Sequence, residues 1–302
     1  NTSLGMNNTQ PVYFLKKIRH HKDYSEQTEN CLMCGRCEAA CPVDLKLNAI
    51  RLSKRPDRIQ ITKDTYNYVK TADPKKTKVA YFAGCMGHLT PSVIQAMKHI
   101  FSKAGVGYTF IDEQDGICCG RPMMLSGNQS AASVIVEKNK AIIENSGAEL
   151  LVTSCPICYK TFKEEYGLSM QIMHHTEYID YLISNNILKT TVSDDKTVFH
   201  NPCELGRGSE VYAAPERVLR QVSRKLATRY DGKDSLCCGG SLANNHISTE
   251  QKSHIAADAV AAYAAYRPDV IVTACPLCKK TFAKKSTSIP VKDIAEVVAE
   301  NL

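Results

Sequence analysis

Ten of the fourteen cysteines fall into two copies of one arrangement. In each copy a cysteine closes a short apolar run, a Cys-Cys-Gly triplet follows after 32 or 33 residues, and a Cys-Pro-x-Cys pair follows after 34 or 35 more. The first copy uses Cys85, Cys118, Cys119, Cys155 and Cys158, and the second uses Cys203, Cys237, Cys238, Cys275 and Cys278. The offset between copies is 118 residues at the first cysteine, 119 at the triplet and 120 at the final pair. A nearly constant offset across three separated motifs means a duplicated domain. The run Glu177–Ile183 is matched to the run beginning at Asp293, so the second copy is expected to end with the chain.

Each copy alternates two periodicities. Lys78–Phe82 and Thr197–His200 are short apolar, β-branched or aromatic runs that read as strands, and Leu150–Thr153 and Val270–Thr273 are apolar runs of the kind buried on both faces of a sheet. Pro91–Ala104, Ser130–Ser146, Pro215–Lys225 and Glu250–Tyr266 have helical spacing, two of them opening on proline. Strands alternating with helices predict a parallel α/β layer in each copy. The polar stretch Thr71–Lys78 reads as a linker, which divides the chain into a small unit at 1–70, a first repeat at 78–190 and a second at 195–302.

The remaining cysteines, Cys31, Cys34, Cys37 and Cys41, crowd into eleven residues ending in Cys-Pro. That spacing wraps a cubane [4Fe–4S] cluster, whereas structural zinc uses two separated pairs. In two-cluster modules of this type the fourth cysteine serves the other cluster. Either Cys41 closes its own cluster or a partner motif lies upstream, and the start at Asn1 favours the second expectation. Five thiols per repeat is one too many for a tetrahedral zinc. Adjacent cysteines diverge and suit a larger object with several irons, although a zinc site in one copy stays open as the alternative. Cys158 and Cys278 enter helices that start near Pro156 and Pro276, where free N–H groups favour an anion. Disulfides fit poorly: the chain is long enough for a large core, and its thiols are clustered without an export signal.

The paired pattern resembles the CCG-domain iron–sulfur proteins, which include the B and D subunits of heterodisulfide reductase and the iron–sulfur subunits of glycerol-3-phosphate, glycolate and lactate oxidation systems. Thr153–Tyr166 and the order of a cubane module before two CCG copies look most like the D-type subunit. Asn201-Pro-Cys203-Glu-Leu-Gly-Arg207 departs from the more usual Asp-Pro-Cys-His run. Ser241-Leu-Ala-Asn244 stands where relatives often continue a glycine run, and its side chains are expected to narrow the approach to the second site. The resemblance implies duplicated Rossmann-like CCG domains related by a pseudo-twofold, preceded by a small α-helical ferredoxin-like module. It implies a noncubane [4Fe–4S] cluster on each five-cysteine set and disulfide reduction or thiol oxidation between them, fed by the cubane on Cys31, Cys34, Cys37 and Cys41. It also implies partner subunits, a flavoprotein or a membrane cytochrome. A non-catalytic relay from a flavin dehydrogenase to quinone is the alternative.

Other residues carry weaker expectations. His88 and His200, each three residues from a repeat cysteine, are candidate proton donors. His174 and His175 read as structural or surface residues, and Arg207 as a clamp for an anionic substrate or a surface charge. Lys160, Lys163, Lys279, Lys280, Lys284 and Lys285 read as solvated helix faces or as a docking face for an acidic redox partner. No dinucleotide or phosphate-loop fingerprint is present, so no flavin or nicotinamide site is expected. Nucleic-acid binding has no support beyond the formal charge of +7, so no nucleic-acid partner is expected. Three clusters, each core counted as about +2 together with its thiolates, carry about −8 in total, which nearly cancels that charge. With no long apolar stretch and no signal segment, a cytoplasmic location is expected, either free or peripheral on the inner face of the membrane.

Overall fold

The computed structural model describes residues 11–55, 76–114, 116–227, 232–241 and 247–302. The expected linker at 71–75 and the run 242–244 lie outside them. Two parallel four-stranded sheets organise the rest. The first contains β1 (Val79–Phe82), β2 (Tyr108–Phe110), β3 (Leu150–Thr153) and β4 (Gln171–His174), in the order β2-β1-β3-β4. The second contains β5 (Ser193–His200), β6 (Ser223–Ala227), β7 (Val270–Thr273) and β8 (Val291–Asp293), in the order β6-β5-β7-β8. Both have the same register logic: Phe82 pairs with Thr153 and Thr153 with His174, as His200 pairs with Thr273 and Thr273 with Asp293. The equivalent of Asp293 is therefore His174, not Glu177, which corrects the terminal alignment by three residues. The error arises because the two end helices share apolar spacing but little identity.

The strands legible in the sequence are the central ones, β1, β3, β5 and β7. Side chains on successive residues enter different cores. Tyr81 and Val152 face the core shared by both copies, while Ala80, Phe82 and Leu151 face the outer core of the first copy. Phe199, Val270 and Val272 face the shared core, and Val198 and Ile271 face the outer core of the second copy. The outer strands are covered less completely and lack that apolar signature. One segment differs outright from expectation: the helix predicted over Pro215–Lys225 spans Ala213–Val222, and Ser223–Ala227 leaves it as β6.

Two pairs of helices weld the copies together. Pro91–Lys103 packs on Ile294–Glu300, and by the pseudo-twofold Ala213–Val222 packs on His175–Ser184. Met97, Ile100, Ile179, Leu182, Leu219, Val222, Val297 and Val298 form one continuous core across this junction. Reciprocal packing of equivalent elements is the intramolecular counterpart of a twofold dimer interface.

At its centre lies a buried polar pair. His175 Nε2 is 2.9 Å from Asp293 Oδ1, and both side chains are fully buried. The same carboxylate caps its own helix, accepting from the Ala295 N–H at 3.0 Å. In the first copy His174 is the N-cap, partnered by Glu177 as Asp293 is by Glu296. His174 and His175 are thus structural, and neither is at the surface. The Asp293→Ala variant loses a cap and leaves His175 buried without its partner. A destabilisation of about 3–5 kcal/mol is expected in denaturant titrations, whereas Glu300→Ala at an exposed ion pair should change stability by about 1 kcal/mol or less.

Candidate metal centre

In each sheet the chain runs outward from the central strand to one side and then returns to the other, so β1/β3 and β5/β7 flank a point where the strand order reverses. Loops leaving the carboxyl ends of such strands form a crevice. Cys85 follows β1 and Cys155 follows β3; Cys203 follows β5 and Cys275 follows β7. Cys155 and Cys275 are the N-caps of the helices Pro156–Glu165 and Pro276–Ala283, with proline at the first helical position. Cys158 and Cys278 lie in the first turn, where backbone N–H groups are free to face an anion. The triplets arrive from the far side of β1 and β5. Gly120 and Gly239 have φ of +89° and +77°, and a Cβ on Gly239 would sit 2.7 Å from the Lys252 carbonyl oxygen. Only glycine turns the chain there.

All fourteen cysteines are free thiols. Within the first copy, thiol contacts run from Cys85 to Cys118, Cys119, Cys158 and Cys155 in turn. The second copy repeats the order: Cys203, Cys237, Cys238, Cys278, Cys275, with Cys278 Sγ 3.2 Å from Cys238 Sγ. All five thiols of the second copy line one cavity, together with Pro156 and Ile157 of the first. Cys155 lies close enough to Cys275 to interact with it electrostatically, so the two sets adjoin across the pseudo-twofold. Among the described residues no three His, Cys, Asp or Glu side chains converge as a single-ion site. A string of thiols spread over several ångströms suits a multi-iron body better than one zinc.

The electrostatics repeat as well. Cys119 and Cys238 are equivalent, and each is pulled well below the ordinary thiol pKa by hydrogen bonds from two neighbouring thiols. Cys118, Cys158, Cys237 and Cys278 are pushed up, chiefly as the donors in those bonds. Backbone N–H groups aim at sulfur: Gly120 at Cys118, Gly239 at Cys237 and Gly240 at Cys238, each at 3.4 Å.

The four-cysteine loop lies against the second copy. Cys31 is buried, with the Met33 N–H 3.3 Å from its sulfur. Arg51 is buried and donates to Cys31 Sγ at 3.1 Å. Its Nη1 is 3.7 Å from Cys37 Sγ. Cys41 is partly exposed and faces the Leu45 N–H at 3.4 Å. Cys34 is in thiol contact with Cys237, and that contact, with the Arg36 N–H and the Arg207 charge, pulls its pKa down. A buried guanidinium on two thiols suits a loop that binds an anionic centre.

His88 and His200 are not equivalent. His88 is partly exposed, with Nε2 3.4 Å from Asp112 Oδ2, and that carboxylate raises the imidazole pKa. Asp112 is buried and also accepts the Ala83 N–H at 2.8 Å and the Gly84 N–H at 2.7 Å, fixing the turn before Cys85. His200 is fully buried, with Nδ1 2.9 Å from the Tyr263 hydroxyl, and burial lowers its pKa to about 4. It carries no imidazolium proton near neutral pH, which weighs against the donor role expected of it.

Arg207, expected as an anion clamp or a surface charge, is bound to backbone carbonyls through two of its three guanidinium nitrogens. Its Nε donates to the Cys34 carbonyl and its Nη1 to the carbonyls of Lys233 and Ser235. Two of the paired lysines are likewise engaged within the molecule. Lys160 bonds the Gly208 carbonyl and pairs with Glu164, and Lys279 pairs with Glu296 and bonds Ser92. Sequence reasoning missed Arg51 and Asp112. Arg51 stands four residues after Leu47 on the buried side of its helix, a cation at an apolar position, and that was its only signal. Asp112 had none.

The cysteine-rich CCG domain model matches residues 79–163 and 197–283. The D subunit of dihydromethanophenazine:CoB–CoM heterodisulfide reductase from Methanosarcina acetivorans is 28% identical over 251 residues, 78% of this chain and 61% of that one. EtfAB:quinone oxidoreductase from Syntrophomonas wolfei is 27% identical over 75% of this chain and 34% of its own length. The B subunit of fumarate reductase (CoM/CoB) from Methanothermobacter marburgensis is 23% identical over 82% of this chain and 55% of its own. The match with each of these three relatives spans less than two thirds of the relative's length. With two matched copies that cover more than half of its residues, the chain belongs to the cysteine-rich CCG domain family.

Proposed function

We propose that this chain is an iron–sulfur oxidoreductase subunit that reduces a small-molecule disulfide or oxidises the corresponding thiols. The observation that carries this reading is the pair of complete five-thiol sets, on equivalent strand ends, adjoining at Cys155 and Cys275. In this reading Cys31, Cys34, Cys37 and Cys41 hold a cubane [4Fe–4S] cluster. Cys85, Cys118, Cys119, Cys155 and Cys158 hold one noncubane [4Fe–4S] cluster, and Cys203, Cys237, Cys238, Cys275 and Cys278 the other. When bound, the clusters supply one-electron storage and iron that captures sulfur. The overall reaction consumes two electrons and two protons and converts one disulfide to two thiols. The chain's own part is to favour the thiolate at Cys119 and Cys238 through hydrogen bonds from neighbouring thiols, to bury the sites, and to present His88, primed by Asp112, as a proton source beside Cys85. Related subunits of multi-subunit redox complexes support partner subunits for this chain. Among the described residues no helix is long and apolar enough to cross a membrane.

The quinone-linked relative favours a second reading, a relay from a flavin dehydrogenase to quinone. Iron analysis of the anaerobically purified chain decides whether either paired-cluster reading stands: three clusters require about twelve irons. A value near four with zinc present excludes both. Turnover of small-molecule disulfides by the reduced protein then separates reductase from relay. Cys119→Ala and Cys238→Ala should each remove about a third of the iron and abolish disulfide turnover.

The two histidines predict opposite pH responses. The pKa of His88 is raised on folding, so its pairing with Asp112 is complete below the unfolded value of about 6.5 and is lost as pH rises through the folded value. His88→Asn should therefore remove the alkaline limb of disulfide turnover while leaving iron content unchanged. The pKa of His200 is lowered, so between pH about 6.5 and about 4 the unfolded chain binds a proton that the folded chain refuses. Stability falls with falling pH across that window by about 3 kcal/mol. His200→Gln should show a shallower acid dependence in denaturant titrations.

A further inference from the structure

The three thiol groups are not equally spaced in connectivity. The four-cysteine loop touches the second five-thiol site through Cys34 and Cys237. The second site adjoins the first through Cys275 and Cys155. In the first copy the loop's neighbour is a carbonyl: Arg55, which bonds the Thr28 and Cys31 carbonyls, reaches the Leu125 carbonyl at 2.8 Å. The thiols thus lie in a line, with the second copy in the middle.

One side chain holds the first junction. Arg207 lies four residues after Cys203 on the short helical turn Gly206–Ser209. Its guanidinium donates to the Cys34 carbonyl at 2.8 Å, to the Ser235 carbonyl at 2.8 Å and to the Lys233 carbonyl at 3.1 Å. Ser235 is two residues before Cys237, so a single planar cation ties the loop backbone to the segment that delivers Cys237 and Cys238. Gly35, at φ +70°, brings the loop against it: a Cβ there would lie 3.6 Å from Arg207 Cβ. Two further contacts close the same seam. The Ser241 hydroxyl donates to the Leu32 carbonyl at 3.0 Å, and Leu32 packs on Ile247 and Ile255 beside Cys34 and Cys237. A planar fork of this kind fixes orientation as well as distance, which an ammonium group does not.

We propose that Arg207 is the positioning residue that locks the four-cysteine loop onto the second five-thiol site, so that the second site alone exchanges electrons directly with the loop and the first is the end of the line. This rests on the reading that all three thiol groups carry iron–sulfur clusters. It assigns different roles to two copies that the sequence presents as equivalent, and it gives Arg207 a task with no counterpart in the first copy, where Leu89 occupies the matching position.

The test uses the full chain, purified anaerobically and mixed with dithionite, with freeze-quench electron paramagnetic resonance and iron analysis as readouts. In the unmodified protein the loop signal should be broadened by magnetic interaction with a neighbouring centre. Cys238→Ala should abolish that broadening and block reduction of the first site, whereas Cys119→Ala should leave the broadening intact. Arg207→Met, with iron content unchanged, should weaken the interaction and slow reduction of the second site by roughly tenfold, equivalent to about 1.4 kcal/mol. Arg207→Lys, which keeps the charge but not the fork, should recover only part of the rate. Iron near twelve per chain with an Arg207→Met variant that behaves like the unmodified protein overturns the positioning role and leaves the functional reading standing. Loss of the broadening in Cys119→Ala overturns the proposed order. Iron near four in the unmodified protein overturns the functional reading and this inference with it.

Discussion

The structure depends on one geometric constraint: adjacent parallel strands hold the loops at their carboxyl ends within reach of each other. β1 and β3 are neighbours, as are β5 and β7, so residues 70 or more apart in sequence deliver thiols to one place. The helices that follow start with proline and place Cys155 and Cys275 at their N-caps and Cys158 and Cys278 in their first turns. Seven of the ten repeat thiols are buried, and burial by itself favours the inert protonated form. Hydrogen bonds from neighbouring thiols instead favour thiolates at Cys119 and Cys238, the form that binds metal.

The second dependence is on the junction between copies. A shared core, rather than a linker, sets how the two crevices face each other. His175 and Asp293 sit in that core as a matched pair at the starts of equivalent helices. A buried polar pair adds less stability than apolar packing of the same volume would, and its usual value is to specify one arrangement over others. Here it bridges the two copies at the same junction that the shared core fills.

Symmetry of sequence does not carry over into symmetry of surroundings. His88 and His200 each lie three residues from a repeat cysteine, on opposite sides of it, and one is a partly exposed member of a carboxylate pair while the other is sealed against Tyr263 and Phe282. The N-terminal loop breaks the twofold further, because a single copy of it cannot dock equivalently on both repeats. Arg207 therefore donates its hydrogen bonds to backbone carbonyls, and its charge lies beside the Cys34 thiol of the loop.

The duplication, the membership of each five-cysteine set, the central strands and the helices that cap the crevices are all legible in the amino-acid order. Those features rest on local rules: spacing, apolar periodicity, proline at a helix start and glycine at a left-handed turn. The edge strands stayed hidden because partial burial leaves no two-residue alternation, and β6 followed a helix without a breaking residue between them. The hydrogen bond of His175 with Asp293, the anchoring of the turn before Cys85 by Asp112, the guanidinium of Arg51 on Cys31 and the seat of Cys34 on Cys237 exist only in the folded chain. Each joins residues between 20 and about 200 positions apart, or sets burial, which depends on what the rest of the chain packs above it.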